Sequence, residues 1–214
     1  MTIGKFITVA TIFFAALTFA SCSKDDDDES NSNSGNREYV DLDLPSGTLW
    51  AACNIGANKP EEHGYYFAFG ETKPKNEYYG VNYKFPTKFT IINDYKELLP
   101  EDDAATANWG GKWRMPSKEQ VDELIKYTNR VWTVLNGVYG TKFISKFNGN
   151  TIFLPASGVV SGINFYDVSE KGYYWLRSFG CLYCYDNWHI GTFMDDGRSL
   201  TYPTGCPIRA VRNK

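Results

Sequence analysis

Histidine is scarce in this 214-residue chain, occurring only as His63 and His189. The sequence has no His-Glu-x-x-His, no paired Cys-x-x-Cys of zinc-site spacing and no Gly-x-Ser-x-Gly. Its two glycine-rich stretches, residues 108–113 and 158–162, lack both the pattern and the strand-to-helix setting of a phosphate-binding loop. Positive charge is not in excess either. The chain carries a formal net charge of −3, and five of its acids sit together at residues 25–29, so residues 37–214 are close to neutral. That balance points away from nucleic acid and from electrostatic capture of a polyion. Long apolar runs are also missing, apart from residues 6–20, and 15 residues are too few for a helix to cross a bilayer, which takes about 20.

That short run has another use. Lys5 supplies a positive n-region, residues 6–20 the length of a signal-peptide h-region, and Phe19-Ala20-Ser21-Cys22 an ending with small residues before a cysteine. It resembles the lipobox of bacterial lipoproteins, which implies cleavage after Ser21 and acylation of Cys22. Two or more acyl chains would hold the protein durably on a membrane. Residues 1–21 are thus expected to be a signal peptide and residues 22–36 a lipidated tether. Five successive acids and a Ser/Asn run cannot bury apolar surface, so the tether is solvated. Lys24 followed by acids also resembles the export signal of lipoproteins carried to the outer face of the outer membrane. A plain spacer is the alternative.

Residues 37–214 are enough for one well-cored domain. Aromatic content is 16%, with 19 glycines, which suits a loop-rich β domain able to display aromatics. The alternation Tyr39-Val40-Asp41-Leu42-Asp43-Leu44 predicts a strand that turns at Pro45-Ser46-Gly47. A second strand is expected over residues 48–53, and a short aromatic one over 65–69. Residues 71–103 read as an irregular excursion. Ser117-Lys118-Glu119-Gln120 is a capping box, and Val121, Leu124, Ile125 and Thr128 fall on one face behind it. The principal helix is therefore expected at about 117–129. Strands follow over residues 131–135, 141–147 and 151–154, punctuated by Asn136-Gly137 and Asn148-Gly149, strong hairpin signals. Further strands are expected over 158–165, 173–177 and 208–211. The fold class is α+β with β dominant.

Several blocks, in order, are familiar. They are Tyr39-Val40-Asp41-Leu42, Leu44-Pro45-Ser46-Gly47-Thr48-Leu49-Trp50-Ala51, Asn54-Ile55-Gly56-Ala57, Gly64-Tyr65-Tyr66-Phe67-Ala68-Phe69-Gly70-Glu71-Thr72, Ala107-Asn108-Trp109-Gly110-Gly111, Trp113-Arg114-Met115-Pro116-Ser117, Ile152-Phe153-Leu154-Pro155-Ala156-Ser157-Gly158 and Ile208-Arg209-Ala210-Val211-Arg212. Together they resemble the major paralogous domain family named from Fibrobacter succinogenes, abundant in envelope lipoproteins of Bacteroidota. The resemblance spans residues 38–212. It implies a C-type-lectin-like fold, related to that of formylglycine-generating enzymes, and no established activity. Trp50, Trp109 and Trp113 read as scaffold, and Arg114 as a structural arginine bound to carbonyls or an acid.

Calcium-dependent sugar binding of the lectin sort calls for several converging oxygen ligands, in a Glu-Pro-Asn or Gln-Pro-Asp loop near a Trp-Asn-Asp. Neither tripeptide occurs, and Asp186-Asn187-Trp188 has the residue types in another order. An oxidase would need a reactive cysteine pair able to hold copper. Cys181 and Cys184 are close in sequence, but in an exported protein the four cysteines Cys53, Cys181, Cys184 and Cys206 are expected to form at least one disulfide, with three pairings open. No metal and no cofactor is expected.

Tyr173-Tyr174-Trp175 are expected to be core. Tyr183, Tyr185, Asp186, Asn187, Trp188 and His189 are expected to form an exposed recognition loop, because aromatic faces stack on sugars or anchor proteins while polar neighbours orient the ligand. The sequence thus points to a non-enzymatic, lipid-anchored protein of the outer membrane's outer surface that binds an extracellular glycan or protein and no nucleic acid. The alternatives are a structural envelope or appendage component and, more distantly, an oxidase.

Overall fold

The computed structural model describes residues 37–85, 97–187, 189–193 and 200–214. The signal peptide, Cys22, the tether and Trp188 lie outside the described residues. The first turn forms at the expected place. Strand β1 (Tyr39–Asp41) pairs antiparallel with β2 (Thr48–Ala51) across a turn closed by the Gly47 amide on the Leu44 carbonyl at 2.8 Å. The last strand of the domain, β11 (Val211–Asn213), joins the other edge of β2, so the two ends of the domain meet in one sheet.

A short helix not anticipated from the sequence, α1 (Ala104–Trp109), starts where Asp103 accepts the Thr106 amide at 2.9 Å and stops at Gly110, whose φ is +68°. The principal helix α2 (Lys118–Tyr127) is the expected one. Ser117 and Gln120 cap it reciprocally, the Ser117 amide donating to Gln120 Oε1 at 2.9 Å. Val121 and Leu124 are fully buried on its inner face. The β-branched Thr128 leaves the helix and returns its hydroxyl to the Leu124 carbonyl at 2.6 Å.

Strands β3 (Thr128–Leu135), β4 (Val138–Ser145) and β5 (Thr151–Pro155) form an antiparallel meander in that order. Asn136 and Gly137 turn β3 into β4 with φ of +48° and +87°. Both positive values belong to the two-residue turn that matches strand twist. A small hairpin of β6 (Val159–Ser161) and β7 (Asn164–Tyr166) follows. A third three-stranded sheet then takes β8 (Gly172–Trp175), β9 (Cys181–Tyr185) and β10 (His189–Phe193) in sequence order. The fold is α+β, β-dominated, with one principal helix and several small sheets, as expected.

Two large cores hold these pieces together. One gathers Leu42, Trp50, Leu124, Phe143, Leu154 and Leu182 between α2 and the inner sides of the sheets. The other gathers Phe67, Phe69, Trp113, Met115, Trp175 and Ile208. Tyr174 and Trp175 are core residues as expected, while Tyr173 is half-buried. Trp50 and Trp113 are buried scaffold, and Trp109 meets Trp113 edge-to-face at 5.1 Å.

The expected strand over residues 65–69 reduces to one bridge, Phe67 with Cys206. Tyrosine hydroxyls take over the hydrogen bonding nearby. Tyr66 donates to the Ser157 carbonyl, Tyr78 to that of Tyr66 and Tyr83 to that of Phe69, at 2.6–2.7 Å. Much of the aromatic content is therefore spent inside, where each phenol satisfies a loop carbonyl that no ladder reaches.

Candidate functional site

The segment expected to be a recognition loop is mostly a β-hairpin. In β9 and β10, His189 stands opposite Tyr185, Gly191 opposite Tyr183 and Phe193 opposite Cys181. Strand β8 flanks β9 with Tyr173 opposite Tyr183. Because side chains alternate along a strand, Tyr174, Leu182, Cys184 and Ile190 turn inward toward α2. Tyr173, Tyr183, Tyr185 and His189 share the other face. That face is graded from Trp175 and Cys181, fully buried, through half-buried tyrosines to exposed His189.

The hairpin tip is organised by Asp186. Its φ of +52° makes the turn, and its carboxylate accepts the His189 amide at 3.0 Å and stands 2.9 Å from His189 Nδ1. The imidazole is thereby laid flat on Tyr185, with ring centres 4.6 Å apart and planes 4° from parallel. Lys171 places its ammonium 5.8 Å from the Tyr185 ring and pairs with Asp167 at 3.1 Å. Tyr173 donates its hydroxyl to the same carboxylate at 3.2 Å. Burial, then the nearby Asp167 charge, push the Tyr173 hydroxyl's pKa up, so it remains a donor. The Tyr183 ring passes over Gly191, where an added Cβ would come within 2.9 Å of its hydroxyl oxygen.

Asn187 also braces the tip. Its side-chain oxygen accepts the Trp132 amide at 2.7 Å. Since β3 is an edge strand, that bond occupies an exposed ladder donor and ties the hairpin tip to the β3–β4 hairpin. Trp132 and Tyr139 stack there, 6.4 Å apart.

Of the six residues expected to recognise ligand, Tyr183, Tyr185, Asp186, Asn187 and His189 come together, and Trp188 lies outside the described residues. Asp186 and Asn187 position the tip, while Tyr185 and His189 present its aromatic surface. Lys171, Asp167 and Tyr173 belong to the same patch and were missed by sequence reasoning. Only strand register brings residues 167–173 beside 183–189.

The four cysteines expected to offer disulfide partners are thiols in this structure. Cys53 is half-buried, Cys181, Cys184 and Cys206 are buried, and no disulfide joins any two of the four. Three residues apart on an extended strand, Cys181 and Cys184 face opposite ways, one into each core. Burial pushes the Cys184 thiol up to about 11 and raises Cys206 as well, which disfavours the reactive thiolate. Arg114 has the structural role expected, with Nη1 donating to the carbonyls of Gly111 and Trp113 at 3.1 and 2.6 Å.

Among the described residues, no group of three or more His, Cys, Asp or Glu side chains is placed to hold a metal ion. No family model, curated protein or solved structure matches the chain.

Proposed function

We propose that this chain is a surface-anchored lipoprotein of the outer membrane whose lectin-like domain binds an extracellular glycan or protein and catalyses no reaction. The membership in the Fibrobacter-named domain family and the lipid anchor on Cys22 rest on the residue blocks and the leader. The observation that carries the binding role is the Tyr185–His189 pair, parallel at 4.6 Å and held at a hairpin tip by Asp186. A rigid aromatic surface of this kind loses little entropy on contact, and polar groups beside it can orient a sugar or a peptide.

The oxidase alternative draws no support from β9, because a copper site shared by Cys181 and Cys184 would need both thiols on one face. The structural alternative has one observation in its favour, the exposed apolar residues Ile163, Phe165 and Tyr166 of the β6–β7 hairpin. Concentration-dependent self-assembly of the purified chain would favour it.

The discriminating experiment is a glycan and mucin array probed with the full chain in mild detergent, with and without calcium. The expected result is a calcium-independent signal that Tyr185→Ala, His189→Ala and Trp188→Ala each reduce. An array without signal, or signals that all three variants retain, would overturn the reading.

A further inference from the structure

A near-neutral domain can still concentrate charge locally, and this one does. A pocket of about 500 Å³ is lined by Lys112, Arg114, Arg177, Arg212 and Lys214, and no Asp or Glu side chain is in its described lining. The five cations come from separate places. Lys112 and Arg114 lie between α1 and α2, Arg177 follows β8, Arg212 lies in β11 and Lys214 directly follows it. Backbone pairing assembles them, since Arg114 and Val211 exchange amide-to-carbonyl bonds at 2.9 Å in both directions. The Arg177 amide adds a bond to the Pro116 carbonyl at 2.8 Å.

Four of the five are held in place. Arg114 spends Nη1 on two carbonyls. Arg177 is steadied by Glu97 at 3.0 Å through Nη2. Arg212 lies 5.5 Å from the Tyr39 ring and 5.8 Å from that of Trp113. Lys214 reaches Asp41 at 2.7 Å. Lys112 is exposed at the rim. Glu97 and Asp41 meet Arg177 and Lys214 from outside the described lining, whose charged side chains are all cationic. Walls of one sign focus the field within a cleft, and pre-set guanidinium forks match tetrahedral oxyanions in geometry as well as charge. Asn213 adds an amide to the lining. The volume is that of a small-molecule site and exceeds what a bare inorganic anion needs.

We propose that this pocket binds a small organic molecule through a sulfate or phosphate monoester. The site is separate from the aromatic hairpin tip: Arg177 lies beyond one end of β8, and Tyr185 and His189 flank the other.

Calorimetric titration of the full chain with glucose 6-sulfate, glucose 6-phosphate and glucose tests this. The expected result is binding of one or both esters, no binding of glucose, and affinity weakened about tenfold or more between low and physiological salt. Binding of the sulfate ester alone or the phosphate ester alone supports the proposal and identifies the group. Lys112→Glu, a change at an exposed side chain, and Arg177→Gln should each weaken binding about tenfold or more. Lys59→Glu, the same charge change at an exposed position outside the lining, should leave it unchanged, as should Tyr185→Ala. Failure of both esters to bind, glucose binding as well as they do, or equal weakening by Lys59→Glu would each overturn the proposal. Loss of array binding in Tyr185→Ala with ester binding intact would separate the two sites.

Discussion

Arg209 Nε donates to the side-chain oxygen of Asn54 at 2.9 Å, across 155 residues of sequence and with both side chains fully buried. The remaining guanidinium nitrogens donate to the carbonyls of Ala51, Ala52 and Phe153 at 2.9–3.2 Å. Asn54 in turn donates to the His63 carbonyl at 2.9 Å. Burial lowers the Arg209 pKa, and these oxygens replace the water it has lost. One cation thus ties together the end of β2, the loop after it, and β5.

Arg209→Ala is expected to cost about 3 kcal/mol or more, since it opens a cavity and leaves several buried acceptors unpaired. Arg209→Met keeps volume but not donors and should also lower stability substantially. Chemical denaturation checks both, and an unchanged midpoint for either would contradict the tie described here.

Asn187→Ala removes the acceptor that covers the Trp132 amide on the β3 edge. The expected loss is about 1 kcal/mol, with faster hydrogen exchange at Trp132 and weaker binding through the neighbouring Tyr185–His189 surface. Unaltered protection of the Trp132 amide would show that the contact does not hold the tip.

Thiol chemistry gives a third check. Denatured, unreduced protein is expected to titrate four thiols from Cys53, Cys181, Cys184 and Cys206, whereas in the native state Cys184 and Cys206 should react slowly. The Cys184 thiol moves from its ordinary 9.0 to about 11 on folding. The folded state therefore holds its proton more tightly, and the corresponding stability, about 2–3 kcal/mol, is complete below pH 9 and lost as pH rises toward 11. Cys184→Ala should flatten the stability profile over that window. An identical slope in the variant would rule out Cys184 as its source.

Anchoring is tested at Cys22. Cys22→Ala is expected to move the protein from the detergent phase to the aqueous phase on fractionation. Changing Asp25 to Asp28 to alanine should protect it from protease added to intact cells. A variant without Cys22 that partitions like wild type would end the lipoprotein reading, and equal shaving of the acid-free tether would end the export reading.

Local chemistry made much of this fold legible. The α2 helix announces itself through a capping box closed within four residues, and the β3–β4 hairpin through an Asn-Gly pair that takes positive φ readily. The β9–β10 hairpin carries no such mark, because Asp186 makes its turn without glycine, and two of its strand residues are cysteines that suggest another chemistry. The α1 helix was hidden by its length of six residues, too short for a periodic pattern to emerge.

Residue order alone therefore determined the elements whose signals are contained within one turn or one hairpin, together with the identity of the aromatic and polar residues near the tip. Tertiary structure decided which faces those residues share. Strand alternation sent Cys181 and Cys184 apart, register laid His189 on Tyr185, and pairing of Arg114 with Val211 gathered cations from residues 112 to 214 into one pocket. These relations depend on contacts between segments far apart in the chain, and no local pattern of residue types encodes them.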